Sequence, residues 1–116
     1  VHQNVKDALV QASELDTRLI MRPLRNTERV LNNPAVEKML EVEKEKGDAT
    51  TIEDVAEFVG GVYPKIMQEG TMEAGAWSCG MVAGLIHDIP TCDELVGGIV
   101  REAEEIIKGR MQQFAS

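Results

Sequence analysis

Aromatic side chains make up only 3% of this 116-residue chain: one Trp, one Tyr and two Phe. A core must then be assembled from Ala, Val, Ile, Leu and Met, and its thinness suggests that some partner surface completes it. Positive charge is also scarce. With 12 Lys and Arg against 20 Asp and Glu, the net charge is −8. Attraction to nucleic acid or to an anionic membrane surface is not expected, because both need cations to neutralise phosphate. The longest uncharged apolar run, Ala74 to Ile86, has 13 residues, short of the roughly 20 that span a bilayer. No charged leader with an apolar core and a small-residue cleavage site is present. The two Cys residues can form at most one bridge and lack metal-ligand spacing, so reduced thiols in a soluble, cytoplasmic protein are expected. There is no glycine-rich phosphate loop, no paired-carboxylate motif and no zinc pattern. Neither a catalytic residue nor a metal site can be named. An initial Met is missing as well: the chain opens on Val1 and reads as part of something longer, with removal of an initiator Met as the alternative.

What is present is mostly helix-forming, and the length suits one domain. Val5, Ala8, Leu9, Ala12 and Leu15 recur at helical spacing, with Gln3 or Asn4 able to start that helix. Arg18 to Pro23 reads as an extended connector, since the residue before a proline avoids the α region. Asn26 to Leu31 is expected to be a short helical turn. Asn33-Pro34 starts the next helix, a capping side chain followed by a proline at the first helical position. It buries Val36, Met39, Leu40 and Val42, pairs Glu41 with Lys44 and Glu43 with Lys46 on its other face, and stops at Gly47. Thr51 and Asp54 open a third helix with Ile52, Val55, Ala56 and Val59 inward. Gly60-Gly61 interrupts it, Val62 to Glu69 resumes, and Gly70 ends that piece. Thr91 and Glu94 have capping-box spacing before a long final helix, Glu94 to Met111. No strand periodicity is evident, so an all-α fold is expected, with 1–72 as one helical region and 73–116 as a motif helix plus a final helix packing as one unit.

The stretch from Gly70 to Cys92 holds the only Trp, both Cys residues and four of the ten glycines. Read as a helix from Glu73 to His87, it aligns Ala76, Gly80 and Gly84 on one side and Trp77, Met81 and Leu85 beside them. Each glycine costs such a helix up to about 1 kcal/mol relative to Ala. Close approach of another backbone, or a ligand cavity facing Gly75 to Gly80, would account for them. Arg18, Arg22, Arg25 and Arg29 either grip an anion or pair with carboxylates such as Asp16 and Glu28. His87 is expected to cap a helix C-terminus, His2 lies at a chain end expected to fray and supports no claim, and Cys79 is expected to be a buried thiol.

The run from Gly70 to Pro90, followed by Glu94-Leu95 and Glu102-Ala103-Glu104, resembles the C-terminal region of the nitronate monooxygenase (2-nitropropane dioxygenase-like) family. The flavin-dependent enoyl-acyl carrier protein reductases share it more loosely. Val5-Lys6, Asp16-Thr17 and Arg25 to Leu31 look like the same family. The resemblance implies an FMN-binding TIM barrel that oxidises alkyl nitronates with O2 or reduces quinone-like acceptors with NAD(P)H. It would make this chain the C-terminal helical portion covering the flavin. Trp77, Ser78, Gly80 and Met81 would lie near the cofactor or its small-molecule substrate, although many members carry Gln where Met81 stands. The family's phosphate loops and catalytic His have no counterpart here, so the chain alone is expected to be inactive and to bind no FMN. Its partner would be the missing N-terminal barrel of the same protein, and homo-oligomers are possible. The alternative is a self-contained helical module that dimerises through Trp77, Met81 and Leu85.

Overall fold

The computed structural model describes residues 1–114, which form five α-helices and a two-stranded hairpin. Helix α1 (Gln3–Gln11) is capped by His2, whose imidazole accepts the Asn4 N–H at 3.1 Å. The His2 amide in turn donates to the Met67 carbonyl at 2.7 Å. The chain end is therefore tied down, contrary to the expectation that it frays.

Strands β1 (Thr17–Ile20) and β2 (Glu28–Leu31) pair antiparallel, Thr17 opposite Leu31 and Ile20 opposite Glu28. The described residues are mostly helical, as expected, but the hairpin shows that they are not all-α, and it corrects the helical turn expected at Asn26 to Leu31. Four-residue strands are too short to display alternation in sequence, and pairing on both sides overrides the weak local preference. On its far side β2 meets the Trp77–Cys79 segment through a bridge between Val30 and Ser78. There Leu31 N–H donates to the Trp77 carbonyl at 3.3 Å, and Cys79 N–H to the Arg29 carbonyl at 3.0 Å.

Helix α2 (Pro34–Lys46) starts as its sequence implies, with the Asn33 side chain accepting the Val36 N–H at 2.9 Å. Gly47 ends it at a φ of 53°. Val36 and Met39 are fully buried, but the expected Glu43–Lys46 pair does not form. Lys46 bonds Asp54 instead, and Glu43 turns inward to accept the Met21 N–H at 2.6 Å. Helix α3 (Ile52–Val59) opens with Asp54 accepting the Thr51 N–H at 2.9 Å and its hydroxyl at 3.0 Å. Of its expected stripe Val55 is fully buried, whereas Ile52 and Ala56 are exposed. Helix α4 (Tyr63–Met67) follows the Gly60-Gly61 break.

The helix expected from Glu73 to His87 does not form. Residues 71–80 run without helix, and only a short 3-10 turn, Met81–Leu85, follows. The reason is visible in the packing. Ala76 is buried with Ile20, Val30, Val36 and Val55, whereas its neighbour Trp77 is buried with Val5, Leu31 and Ile66. Adjacent residues can serve opposite sides only in extended chain. The glycines that a helix would have had to tolerate serve close approach instead. A Cβ on Gly75 would stand 2.4 Å from the Phe58 carbonyl oxygen, and one on Gly84 would stand 2.7 Å from the Glu14 amide nitrogen. The partners that press on them thus belong to this chain. His87 lies outside any helix and is exposed, so the helix-capping role expected of it is also corrected.

Helix α5 (Cys92–Phe114) begins as expected, with Glu94 accepting the Thr91 N–H at 2.8 Å and its hydroxyl at 2.7 Å. It buries none of its residues; Leu95, Val96, Ile99, Val100, Ile106 and Ile107 are each at least half exposed.

Candidate functional site

The extended segment after Gly75 brings together side chains that are far apart in sequence. Because Val30 and Ser78 are bridged across β2, Ser78 lies beside Glu28 at the start of that strand, and α4 presents Tyr63 to the same point. The Tyr63 and Ser78 hydroxyl oxygens are 2.7 Å apart, the Ser78 N–H donates to the Tyr63 oxygen at 2.9 Å, and the Ser78 hydroxyl donates to the Glu28 carboxylate. Ionised Glu28 can only accept, so the Ser78 proton points to it. Ser78 then accepts the Tyr63 proton, and each hydroxyl proton in the cluster is used. Ser78 is exposed, Tyr63 is 43% exposed and Glu28 is half-buried.

The four residues expected near a ligand divide between inside and outside. Trp77 is only 3% exposed and forms part of the core, whereas Ser78, Gly80 and Met81 reach the surface, Met81 at 54% exposure. Trp77, Met81 and Leu85 therefore do not form one continuous stripe. A Cβ on Gly80 would meet nothing nearer than the Val82 side chain at 3.8 Å, so the surface is open there. Tyr63 and Glu28 were not found by sequence reasoning. They stand 15 and 50 residues from Ser78, and no local pattern links them; that Tyr63 is the only Tyr is the sole hint.

Cys79 is buried and its thiol is pushed up by that burial, which makes it a poor nucleophile, while Cys92 is exposed. The arginines do not converge on an anion site. Arg29 donates to the Thr17 hydroxyl at 2.7 Å, and Arg18 donates to the Leu15 and Thr17 carbonyls at 2.9 and 3.0 Å. Among the described residues no group of His, Cys, Asp or Glu could hold a metal ion, and no helix is long and apolar enough to cross a membrane. A groove of about 550 Å³, which includes none of Tyr63, Ser78 and Glu28, lies between Asp88-Ile89-Pro90 and Glu94, Leu95, Gly98 and Ile99 on α5.

No protein-family model matches the chain. Among solved structures it is similar to FabK from Thermotoga maritima, with a TM-score of 0.80 and 28% identity over 97% of this chain and 35% of that one. A mutant of the same FabK matches with a TM-score of 0.73 and 26% identity, over 97% of this chain and 32% of the other. The chain thus spans about a third of the FabK chains it matches. A shorter match, 49% identical over 35 residues, joins 30% of this chain to 10% of (3aS,4S,5R,7aS)-5-hydroxy-7a-methyl-1-oxo-octahydro-1H-indene-4-carboxyl-CoA dehydrogenase of Rhodococcus jostii (strain RHA1).

Proposed function

We propose that this chain is the C-terminal portion of an FMN-dependent oxidoreductase built on a TIM barrel, and that it covers the flavin site. The observation that carries this reading is the superposition of 97% of the chain on about a third of FabK, taken together with the resemblance of the run from Gly70 to Pro90 to a family of FMN-binding TIM barrels. Helix α5 supports it independently. Its exposed Leu95, Ile99 and Ile106 are the kind of face that an outer barrel helix turns toward the strands. The preceding barrel of the same protein is the partner that this face requires.

The residues present suit the flat, mostly neutral part of a flavin. Gly80 leaves room for close approach, Met81 offers a soft apolar surface, and Ser78 offers a fixed hydroxyl oxygen. Trp77, held inside the core, would keep this segment seated and take no part in ligand contact. FMN, when bound, supplies the electron-carrying chemistry. This chain's own work is to position and to exclude water. The cofactor phosphate and any proton-transferring His are left to the barrel. Within this reading the reaction is nitronate oxidation with O2 or NAD(P)H-dependent reduction of a quinone-like acceptor, consistent with the resemblance in the run from Gly70 to Pro90.

Gentle purification of the full-length protein, followed by its visible spectrum and flavin analysis, tests the proposal. About one FMN per chain is expected, with the isolated 116-residue chain colourless. A full-length protein without flavin overturns it. Sedimentation of the isolated chain then examines the self-associating alternative, of whose Trp77, Met81 and Leu85 stripe only Met81 and Leu85 are exposed: a dimer that persists in the full-length protein and dissolves on their substitution would favour an interaction module.

A further inference from the structure

The hydrogen-bond cluster of Glu28, Ser78 and Tyr63 has a polarity that sequence does not show. Its three members come from β2, from the extended segment and from the first residue of α4, so the cluster is a product of the tertiary fold. The proton order runs from Tyr63 to Ser78 and from Ser78 to Glu28, while the Ser78 amide donates back to the Tyr63 oxygen. No hydroxyl proton is left over. What remains free at the surface is lone pairs on four oxygens, two of them on the Glu28 carboxylate.

An arrangement of this kind disfavours an anion. A phosphate or carboxylate placed against it would meet acceptors only, beside a negative charge and in a chain of net charge −8, with like charges repelling and no donor to compensate. The nearest guanidinium along β2, that of Arg29, is engaged with the Thr17 hydroxyl. A neutral group carrying N–H or O–H is the chemical complement.

We infer that Tyr63 and Glu28 are positioning residues that orient the Ser78 hydroxyl, and that Ser78 so oriented receives a hydrogen-bond donor of the bound flavin, an imide N–H or a ribityl hydroxyl, with the phosphate end held elsewhere. The inference rests on the proposed flavin function and adds to it a polarity and two residues. Ser78 supplies the contact, Tyr63 and Glu28 determine which way its proton faces.

The test is flavin affinity, measured by fluorescence titration of the deflavinated full-length protein with FMN and, separately, with riboflavin, which lacks the phosphate. Ser78→Ala, Tyr63→Phe and Glu28→Gln are each expected to weaken both flavins by a similar factor, about tenfold for the loss or reversal of one such hydrogen bond. The double variant Tyr63→Phe/Glu28→Gln should be little worse than either single one, because both act through the same hydroxyl. Ser78→Thr, which keeps the hydroxyl, should restore most of the affinity lost in Ser78→Ala. Wild-type affinity for both flavins in Tyr63→Phe and Glu28→Gln overturns the inference while leaving the flavin function intact. So does tighter FMN binding confined to Glu28→Gln, which would identify the carboxylate as a repulsive neighbour of the phosphate. A wild-type protein that binds neither flavin overturns the function and the inference with it. Circular dichroism confirms that each variant is folded, and if Tyr63→Phe is not, Glu28→Gln at the far end of the cluster decides the matter.

Discussion

The amide of Met21 donates a 2.6 Å hydrogen bond to the carboxylate of Glu43, and both residues are buried. Met21 sits at a φ of 55°, where a side-chain-bearing residue is uncommon, at the point where β1 gives way to the loop leading to β2. The carboxylate gives this turned-out N–H a partner and joins α2 to the hairpin. Glu43→Ala is expected to destabilise the chain by about 1–3 kcal/mol, the cost of a buried donor left unpaired. Glu43→Gln, which retains an acceptor oxygen, should lose less. Urea midpoints of the three proteins check this.

Gly75 and Gly80 look alike in sequence and should respond differently to the same substitution. A Cβ at Gly75 would press on the Phe58 carbonyl oxygen and the Val62 side chain, at 2.4 and 2.6 Å, whereas at Gly80 it would stand in ordinary contact at 3.8 Å. Gly75→Ala is expected to cost about 1–3 kcal/mol through overpacking, and Gly80→Ala to remain within about 0.5 kcal/mol of the parent. Equal losses at the two positions would show that the extended path of this segment is wrong.

Asp54 links α2 to α3. The hydrogen bond from Lys46, reinforced by the Thr51 N–H, lowers its carboxyl from 3.8 to about 2. A depressed folded value means that the native state binds the proton less readily than the unfolded chain does. Its stabilisation is therefore complete above the ordinary carboxylate value and is lost as the pH falls through about 2. The difference in urea midpoint between the parent and Asp54→Asn should be constant near neutrality and should close over that acid range. Because the group lies at the surface, the difference is expected to shrink in high salt. A difference independent of pH would remove Lys46 and Thr51 as its cause.

Thiol labelling distinguishes the two cysteines. Cys92 is exposed, while Cys79 is buried and its thiol is raised by desolvation. Under native conditions near pH 8 an alkylating reagent should modify Cys92 promptly and Cys79 only on opening of the core, with mass spectrometry of the digested protein reporting each rate. Comparable rates would contradict the docking of the Trp77–Cys79 segment against β2.

The helix starts were readable because their signals are local. Asn33-Pro34, Thr51 with Asp54, and Thr91 with Glu94 each satisfy amide donors within one turn of chain, and all three appear where their side chains imply. The hairpin was not readable. Glu28 to Leu31 becomes a strand because Thr17 to Ile20 pairs on one side and the Val30–Ser78 bridge lies on the other. The segment after Glu73 misled for a related reason: small residues four apart satisfy a helical template, but the spacing cannot tell a helix groove from two separate points of close contact at Gly75 and Gly84. Of the four residues named from resemblance, Ser78, Gly80 and Met81 lie at the surface, whereas Trp77 is buried in the core. Tyr63 and Glu28 carry no local signal, and their meeting with Ser78 exists only once β2, α4 and the extended segment have packed.

By itself, the sequence determined where most helices begin and stop and that both cysteines stay unpaired. Those properties depend on neighbours within a few residues, on composition, or on the 3.6-residue repeat. Only the tertiary structure decided that the glycine-rich stretch runs extended, that its glycines admit Phe58 and Glu14 of the same chain, and that one exposed serine has its proton direction set from two distant elements. Extended chain draws its hydrogen bonds from whatever lies beside it, so its conformation, and the site it builds, became definite only when its neighbours were in place.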